Sequence, residues 1–152
     1  MTGKGLSIIV TIVILTVLVI TVAVLLNTVI SKLIPSTKPV HNVQLSCSAK
    51  YGEYIEIYHL GGDTLYLNDV TIKTYIPYGK YAGSTYTVNK NSITINGEKK
   101  DIFTVGDVLK IPWNSAWYPG WTEPYEPKSG EEFIVEFYIG SDLITSCRGT
   151  VS

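Results

Sequence analysis

A run of 26 residues without a charged side chain, residues 6–31, constrains this chain more than any other feature. An α-helix of that length spans roughly 39 Å at ~1.5 Å per residue, enough to cross a hydrocarbon core about 30 Å thick. Polar side chains do not share one face of this helix, because Ser7 and Thr16 lie almost opposite each other. The run therefore predicts a helix over Leu6–Ile34 that is buried in lipid or among other protein helices.

The residue types in this run favour packing against other helices. Between Ile8 and Val24, every residue except Leu15, Leu18 and Ala23 is β-branched. In water such residues favour strands, but a single strand cannot enter a bilayer with its backbone unpaired, so the membrane imposes a helix. Stiff β-branched side chains also lose little entropy when helices pack together.

The residues that flank the run predict how it inserts. Lys4 lies on the short N-terminal side, and the positive-inside rule places that end in the cytoplasm. Lys32 opposes this orientation weakly, since a large domain is translocated largely regardless of single charges. A secretory signal peptide would have an apolar stretch of about 7–15 residues followed by a small-residue cleavage site. The run is longer and no such site precedes Pro35, so we expect a retained single-pass helix.

The segment Lys4–Ser7, followed by an uncharged helix, resembles the class III leader of type IV pilin precursors. The resemblance implies that a membrane peptidase cuts after Gly5, removes residues 1–5 and leaves Leu6 as the new N-terminus. Bacterial pilins carry a Glu at the fifth mature position, which is Val10 here. The absence of an acidic residue in the helix resembles the archaeal branch of the family.

A second segment supports the same resemblance. The residues from His59 to Leu65 are similar to the H-x-G-G-D-x-L pattern between two strands of archaeal type IV pilins. Gly61 and Gly62 permit the positive φ values of a tight connection, and Asp63 can hydrogen-bond the local backbone. A single histidine at a strand end is expected to be structural. The resemblance covers roughly residues 3–76.

The rest of the chain predicts a β-rich head over residues 40–152, after a hinge at Pro35–Pro39. Residues 35–152 hold ten basic and 13 acidic side chains, a net charge of about −3, which gives no basic footprint for nucleic acid. All 11 tyrosines and all three tryptophans lie here, a composition that favours strands.

Eight short strands separated by turns predict an antiparallel, Ig-like β-sandwich, so the fold class is α+β. Asn96-Gly97 predicts a tight hairpin, and Gly140-Ser141 predicts the turn of the last hairpin. The predicted strands are Val40–Ala49, Tyr54–Leu60, Val70–Pro77, Ser84–Val88, Ser92–Ile95, Val108–Ile111, Glu132–Ile139 and Leu143–Thr150.

Cys47 and Cys147 are the only cysteines. An even count in an exported, strand-rich domain favours a disulfide, which would close a loop of about 100 residues. The alternative is a pair of buried free thiols. A blue-copper site would need two His, a Cys and usually a Met. The only methionine is Met1, so no metal or cofactor is predicted.

Three tryptophans, Trp113, Trp117 and Trp121, follow one another at intervals of four residues. Several prolines, with Pro112 and Pro119 among them, argue against a stable helix here. One interpretation is an aromatic platform for sugars or for a partner surface. The other is a long loop pinned to the head by its own aromatic rings.

The sequence gives no support for catalysis. It contains no G-x-S-x-G elbow, no H-E-x-x-H motif and no phosphate-binding loop. The adjacent acids Glu131 and Glu132 would point to opposite faces of a strand, so they do not form an acid–base pair. An enzyme is therefore not expected.

These observations predict a structural subunit of an archaeal type IV pilus, an adhesion filament at the cell surface. The resemblance implies that the precursor is held in the plasma membrane, is cut by a prepilin peptidase, and polymerises with copies of itself through Leu6–Ile34 by means of the pilus assembly machinery. One alternative is a membrane-tethered extracellular module whose tryptophan-rich loop binds a glycan or a surface. Another is a minor or archaellum-like filament component.

Overall fold

A computed structural model describes residues 3–33, 41–120 and 123–152, and within the N-terminal helix it describes the side chains of residues 8–26. The protein is α+β, with one N-terminal apolar helix and antiparallel sheets. It divides into two compact units, Met1–Pro39 and Val40–Ser152, which are described separately below.

The first unit contains helix α1, Gly3–Leu33, so the predicted apolar helix is confirmed. Threonines inside it bond to their own backbone: the hydroxyl of Thr16 donates to the carbonyl of Ile12 and that of Thr21 to the carbonyl of Val17, both at 2.7 Å. These bonds satisfy two polar groups without a solvent partner. The predicted hinge, residues 35–39, lies outside the described residues.

The described residues of the second unit form ten strands. Two open sheets of four strands have the orders β1-β2-β8-β6 and β10-β9-β4-β5, and β3 pairs with β7. Neighbouring strands within each sheet are antiparallel. The strands are β1 Val43–Lys50, β2 Tyr54–Gly62, β3 Leu65–Tyr66, β4 Val70–Tyr75, β5 Thr85–Thr87, β6 Thr94–Ile95, β7 Ile102–Phe103, β8 Val108–Pro112, β9 Glu132–Ile139 and β10 Asp142–Thr150.

Alternating residues of both large sheets supply one hydrophobic core. Ile55 and Ile57 of β2 and Phe133, Val135 and Phe137 of β9 are all fully buried. They belong to a single cluster of buried side chains. Each such residue contributes about 1.5–3 kcal/mol when it leaves water. The Ig-like sandwich stays a prediction, because the two sheets are open.

The two predicted hairpin turns are confirmed. Asn96 and Gly97 have φ values of 53° and 83°, the two positive values that a type I′ turn needs. Gly140, with a φ of 61°, lies in the turn that joins β9 to β10.

Short elements depart from the sequence-based prediction. The strands β3 and β7 have two residues each and were not predicted. Beyond Pro112, one helical turn, α2, forms at Trp113–Ala116, where the prolines had argued against a helix. It forms because Trp113 and Ala116 bury their side chains in the core.

The edge strands β1 and β10 lie side by side and run parallel near Ala49. The hydroxyl of Thr145 donates to the carbonyl of Val43 at 2.9 Å. The predicted disulfide is present, between Cys47 and Cys147, with their Cα atoms 5.8 Å apart. The first and last strands of the head are therefore joined covalently and by hydrogen bonds.

Candidate functional site: the apolar helix and a tyrosine-lined pocket

Between residues 8 and 26, the surface of α1 is apolar on every side. Each large apolar side chain from Ile8 to Leu26 is exposed by 46–64 %, and no charged residue interrupts them. This segment is long and apolar enough to cross a membrane, although a signal sequence near an N-terminus has the same properties. A surface of this kind needs a covering of lipid or of protein.

The predicted cleavage site lies within this helix. Gly5 and Leu6 belong to the helical backbone of α1, and their side chains lie outside the described residues. Cleavage between them stays a prediction.

The tryptophan-rich loop is anchored in the core of the head. Trp113 is 6 % exposed and Trp117 is 3 % exposed. Their rings meet edge to face at 5.6 Å, and Trp117 meets Phe133 in the same way at 6.3 Å. The indole N–H of Trp113 donates to Glu126 at 2.6 Å. Neither ring is available as a surface platform in the single chain, and Trp121 lies outside the described residues.

Two tyrosines of the same loop are exposed instead. Tyr118 and Tyr125 are 42 % and 41 % exposed, and their rings stack with centroids 5.4 Å apart. The backbone N–H of Tyr125 donates to the carbonyl of Tyr118 at 2.8 Å. Gly120 permits this close return, because its φ is +63° and a Cβ there would lie 1.8 Å from the carbonyl oxygen of Glu123.

These tyrosines border a cavity of about 240 Å³, here called the tyrosine pocket. It lies beside β4 and β5, and the described residues that line it are all uncharged. The hydroxyl of Thr74, a fully buried side chain, bonds to the carbonyl of Ala116 and thereby connects β4 to α2. The described lining residues are Thr74, Ile76, Ser84, Thr85, Tyr86, Trp117, Tyr118 and Tyr125.

One polar group of Trp117 has no partner among the described residues. Its indole nitrogen is fully buried and makes no hydrogen bond to any residue that the structure describes. Because the nitrogen is closed off from solvent, it is an unpaired donor of the protein interior and not a contact point of the open pocket.

Charged groups lie next to Tyr125. The ring of Tyr81 meets that of Tyr125 edge to face at 4.7 Å, and its hydroxyl donates to Glu123 at 3.0 Å. Lys80 also pairs with Glu123. The hydrogen bond from Lys80, followed by that from Tyr81, lowers the pKa of the Glu123 carboxyl below its usual range. The Glu123 carboxylate therefore stays ionised and is paired with Lys80 at the exposed surface.

The segment with the H-x-G-G-D-x-L pattern fixes the start of the head. Asp63 accepts a hydrogen bond from the N–H of Asn42 at 3.1 Å, and its own N–H donates to the carbonyl of Asn42 at 2.9 Å. The buried ring of His59 donates from Nε2 to the carbonyl of Asp63 at 2.9 Å. His59 thus has the structural role that its position predicted.

No protein-family model matches this chain, and no curated protein matches it either. Two features of the described residues bear on function: the charge-free helix surface of residues 8–26, which needs a covering, and an uncharged pocket lined by aromatic, hydroxyl-bearing and aliphatic side chains.

Proposed function

We propose that this protein is a structural subunit of an archaeal type IV pilus, an extracellular filament that polymerises through α1. The observation that supports this most is the apolar, charge-free surface from Ile8 to Leu26 on every side of the helix. Lipid covers such a surface in the precursor, and neighbouring copies cover it in a helical filament.

The proposed mechanism is processing followed by packing. The precursor lies in the plasma membrane with its N-terminus in the cytoplasm, and a prepilin peptidase removes residues 1–5. The helices then leave the bilayer and pack into a central bundle, with the heads outside as Ig-like sandwiches. The internal hydrogen bonds of Thr16 and Thr21 support this step, because they leave those hydroxyls satisfied in a dry bundle.

A second candidate is a membrane-tethered binding module on the outside of the cell. The tyrosine pocket favours it, because a pocket in the head has no part in packing helices. A minor or archaellum-like filament component would, like the first candidate, pack its apolar helix α1 against the helices of neighbouring subunits.

Substitutions in α1 separate filament assembly from simple anchoring. We expect Ile12→Ala and Val19→Ala to leave membrane insertion intact but to lower filament yield. Helices in a bundle meet at protein packing density, where lost volume costs stability, whereas lipid chains adapt to shape. Val17→Asp should impair assembly more strongly, because it buries an unpaired charge.

The measurement is the ratio of sheared, pelletable subunit to membrane-retained subunit for each variant. Leu60→Ala is the matched control, since Leu60 is 61 % exposed but belongs to β2 of the head. If all three helix variants insert and their ratio equals that of the control, the helix is only an anchor and the second candidate replaces the first.

A further inference from the structure

We propose that the tyrosine pocket binds one neutral sugar ring. The inference concerns the head alone, goes beyond polymerisation, and does not depend on whether α1 builds a filament.

The chemistry of the lining argues for a neutral ligand rich in hydroxyl groups. Ser84 and Tyr86, which lie on the same face of the sheet as Thr74, carry hydroxyls that can each donate and accept, as the hydroxyls of a sugar do. The described lining holds no charged side chain that could compensate a buried ionic ligand. Lys80 and Glu123 pair with each other at the exposed surface, and neither lines the pocket.

The rings supply the complementary apolar contact. Tyr118 is held by its stack on Tyr125 and lies 6.4 Å from the ring of Tyr86, so these aromatic surfaces are fixed by one another. One face of a pyranose carries mainly C–H groups, which pack against an aromatic ring. Because both partners are rigid, little entropy is lost when they meet.

The size of the pocket sets the size of the ligand. Its volume, about 240 Å³, is smaller than the ~300–1,000 Å³ of pockets that hold drug-sized ligands. It has room for one ring. An extended peptide is a poorer fit, because β5, the edge strand beside it, has only three residues to pair with an added strand.

Backbone groups without a partner among the described residues lie on the outer edge of β5. The carbonyl of Ser84 accepts from the N–H of Ile76, and the N–H of Val88 donates to the carbonyl of Ile72, so both bonds are directed towards β4 and its continuation. By alternation the N–H and C=O of Thr85 point away from β4. Thr85 borders the pocket, so the hydroxyls on the rim of a sugar ring can bond to this edge.

The test uses the full chain in micelles of a zwitterionic detergent that has no sugar headgroup. Saturation-transfer NMR is recorded with the methyl glycosides of glucose, galactose and mannose, and with glucuronate as a charged probe. We expect transfer to the ring C–H protons of at least one neutral glycoside and none to glucuronate.

Variants locate the binding. Tyr118→Ala should weaken it about tenfold, the loss expected when an aromatic contact worth roughly 1.4 kcal/mol is removed. Tyr118→Phe should keep wild-type affinity within about twofold, because the ring remains. Tyr66→Ala is the matched control, since Tyr66 is 54 % exposed and lies on β3, outside the pocket. Its binding should be unchanged.

A second variant protects the test against misfolding. Ser84 lies on the same face of the sheet as Thr74 and Tyr86 and is only half-buried, so Ser84→Arg places a long side chain in the pocket and should abolish binding. The proposal is overturned if the wild type binds no neutral glycoside, if glucuronate binds equally well, or if Tyr118→Ala and Ser84→Arg bind like Tyr66→Ala. Filament yield is measured separately, so a failure here leaves the assembly proposal standing.

Discussion

Two residues close to each other in space determine how the head begins. Asn42 and Asp63 exchange backbone and side-chain hydrogen bonds, which fix the entry of the chain into β1. Gly62 makes this possible, because its φ is +96° and a Cβ there would lie 1.7 Å from the carbonyl oxygen of Asn42. The glycine is required both by its conformation and by the close approach of another backbone segment.

We expect Gly62→Ala to lower the free energy of unfolding by more than the ~1–3 kcal/mol that a left-handed residue alone costs. Gly52→Ala is the matched control, since Gly52 also has a positive φ, +71°, but a Cβ there meets nothing within 4 Å. Denaturant unfolding of the full chain in micelles, followed by the fluorescence of the buried tryptophans, measures both. Equal losses in the two variants would contradict the close-approach argument.

The strands show how far alternation in a sequence predicts structure. Val70, Ile72 and Thr74 alternate with polar or half-exposed neighbours, and they are the buried residues of β4. The two-residue strands β3 and β7 have too few residues to form such a pattern. The turn α2 depends on the burial of Trp113 in a core made by strands that are distant in sequence. Local sequence patterns do not predict such burial.

The pocket was harder to predict than the strands. The sequence pointed to the tryptophans, of which Trp113 and Trp117 are buried, rather than to Tyr118 and Tyr125, which are exposed. Tyr118-Pro119-Gly120 does carry a local sign of a turn. The lining residues Thr74 and Tyr86, however, join this turn only through the pairing of β4 with β5 and the bond from Thr74 to Ala116.

The disulfide joins the edge strands of two different sheets, so its removal should lower the stability of the whole head. We expect Cys47→Ser and Cys147→Ser to lower the melting temperature equally, and the double variant to match either single one, since all three remove the same closed loop. The chain-entropy model allows a loss of at most ~4.7 kcal/mol. Hydrogen bonds such as that from Thr145 to Val43 still hold β1 against β10, so the strands should stay paired.

Differential scanning calorimetry of the oxidised full chain gives the reference for this comparison. A double variant less stable than both single variants would show that the cysteines act separately. Labelling of either thiol in the unreduced native protein would contradict the bridge itself.

The two parts of the chain differ in charge and in residue composition. Residues 1–34 carry two lysines and no acid, whereas residues 35–152 carry a net charge of about −3 and all the tyrosines. The two compact units follow this division closely, because an uncharged helix and a mixed polar and apolar β-rich segment need different surroundings.

If the chain is processed as a pilin, mass spectrometry of the mature protein should find Leu6 at its N-terminus. Gly5→Leu should block the cut, because the family resemblance implies a small residue before the scissile bond. Thr2→Leu is the control, since it lies in the leader but away from that bond. A native chain that still starts at Met1, or one that starts beyond Pro35, would remove the pilin proposal.

The cross-link between β1 and β10 also sets how the head would respond to mechanical load. These strands run parallel, so a force that pulls on the start of β1 and the end of β10 would shear their contacts rather than peel them apart. The covalent path from Val43 to Thr150 runs through Cys47 and Cys147 and bypasses the 100-residue separation between them. Most of the β-rich unit therefore lies outside the line of tension, and only short stretches of its first and last strands can lengthen.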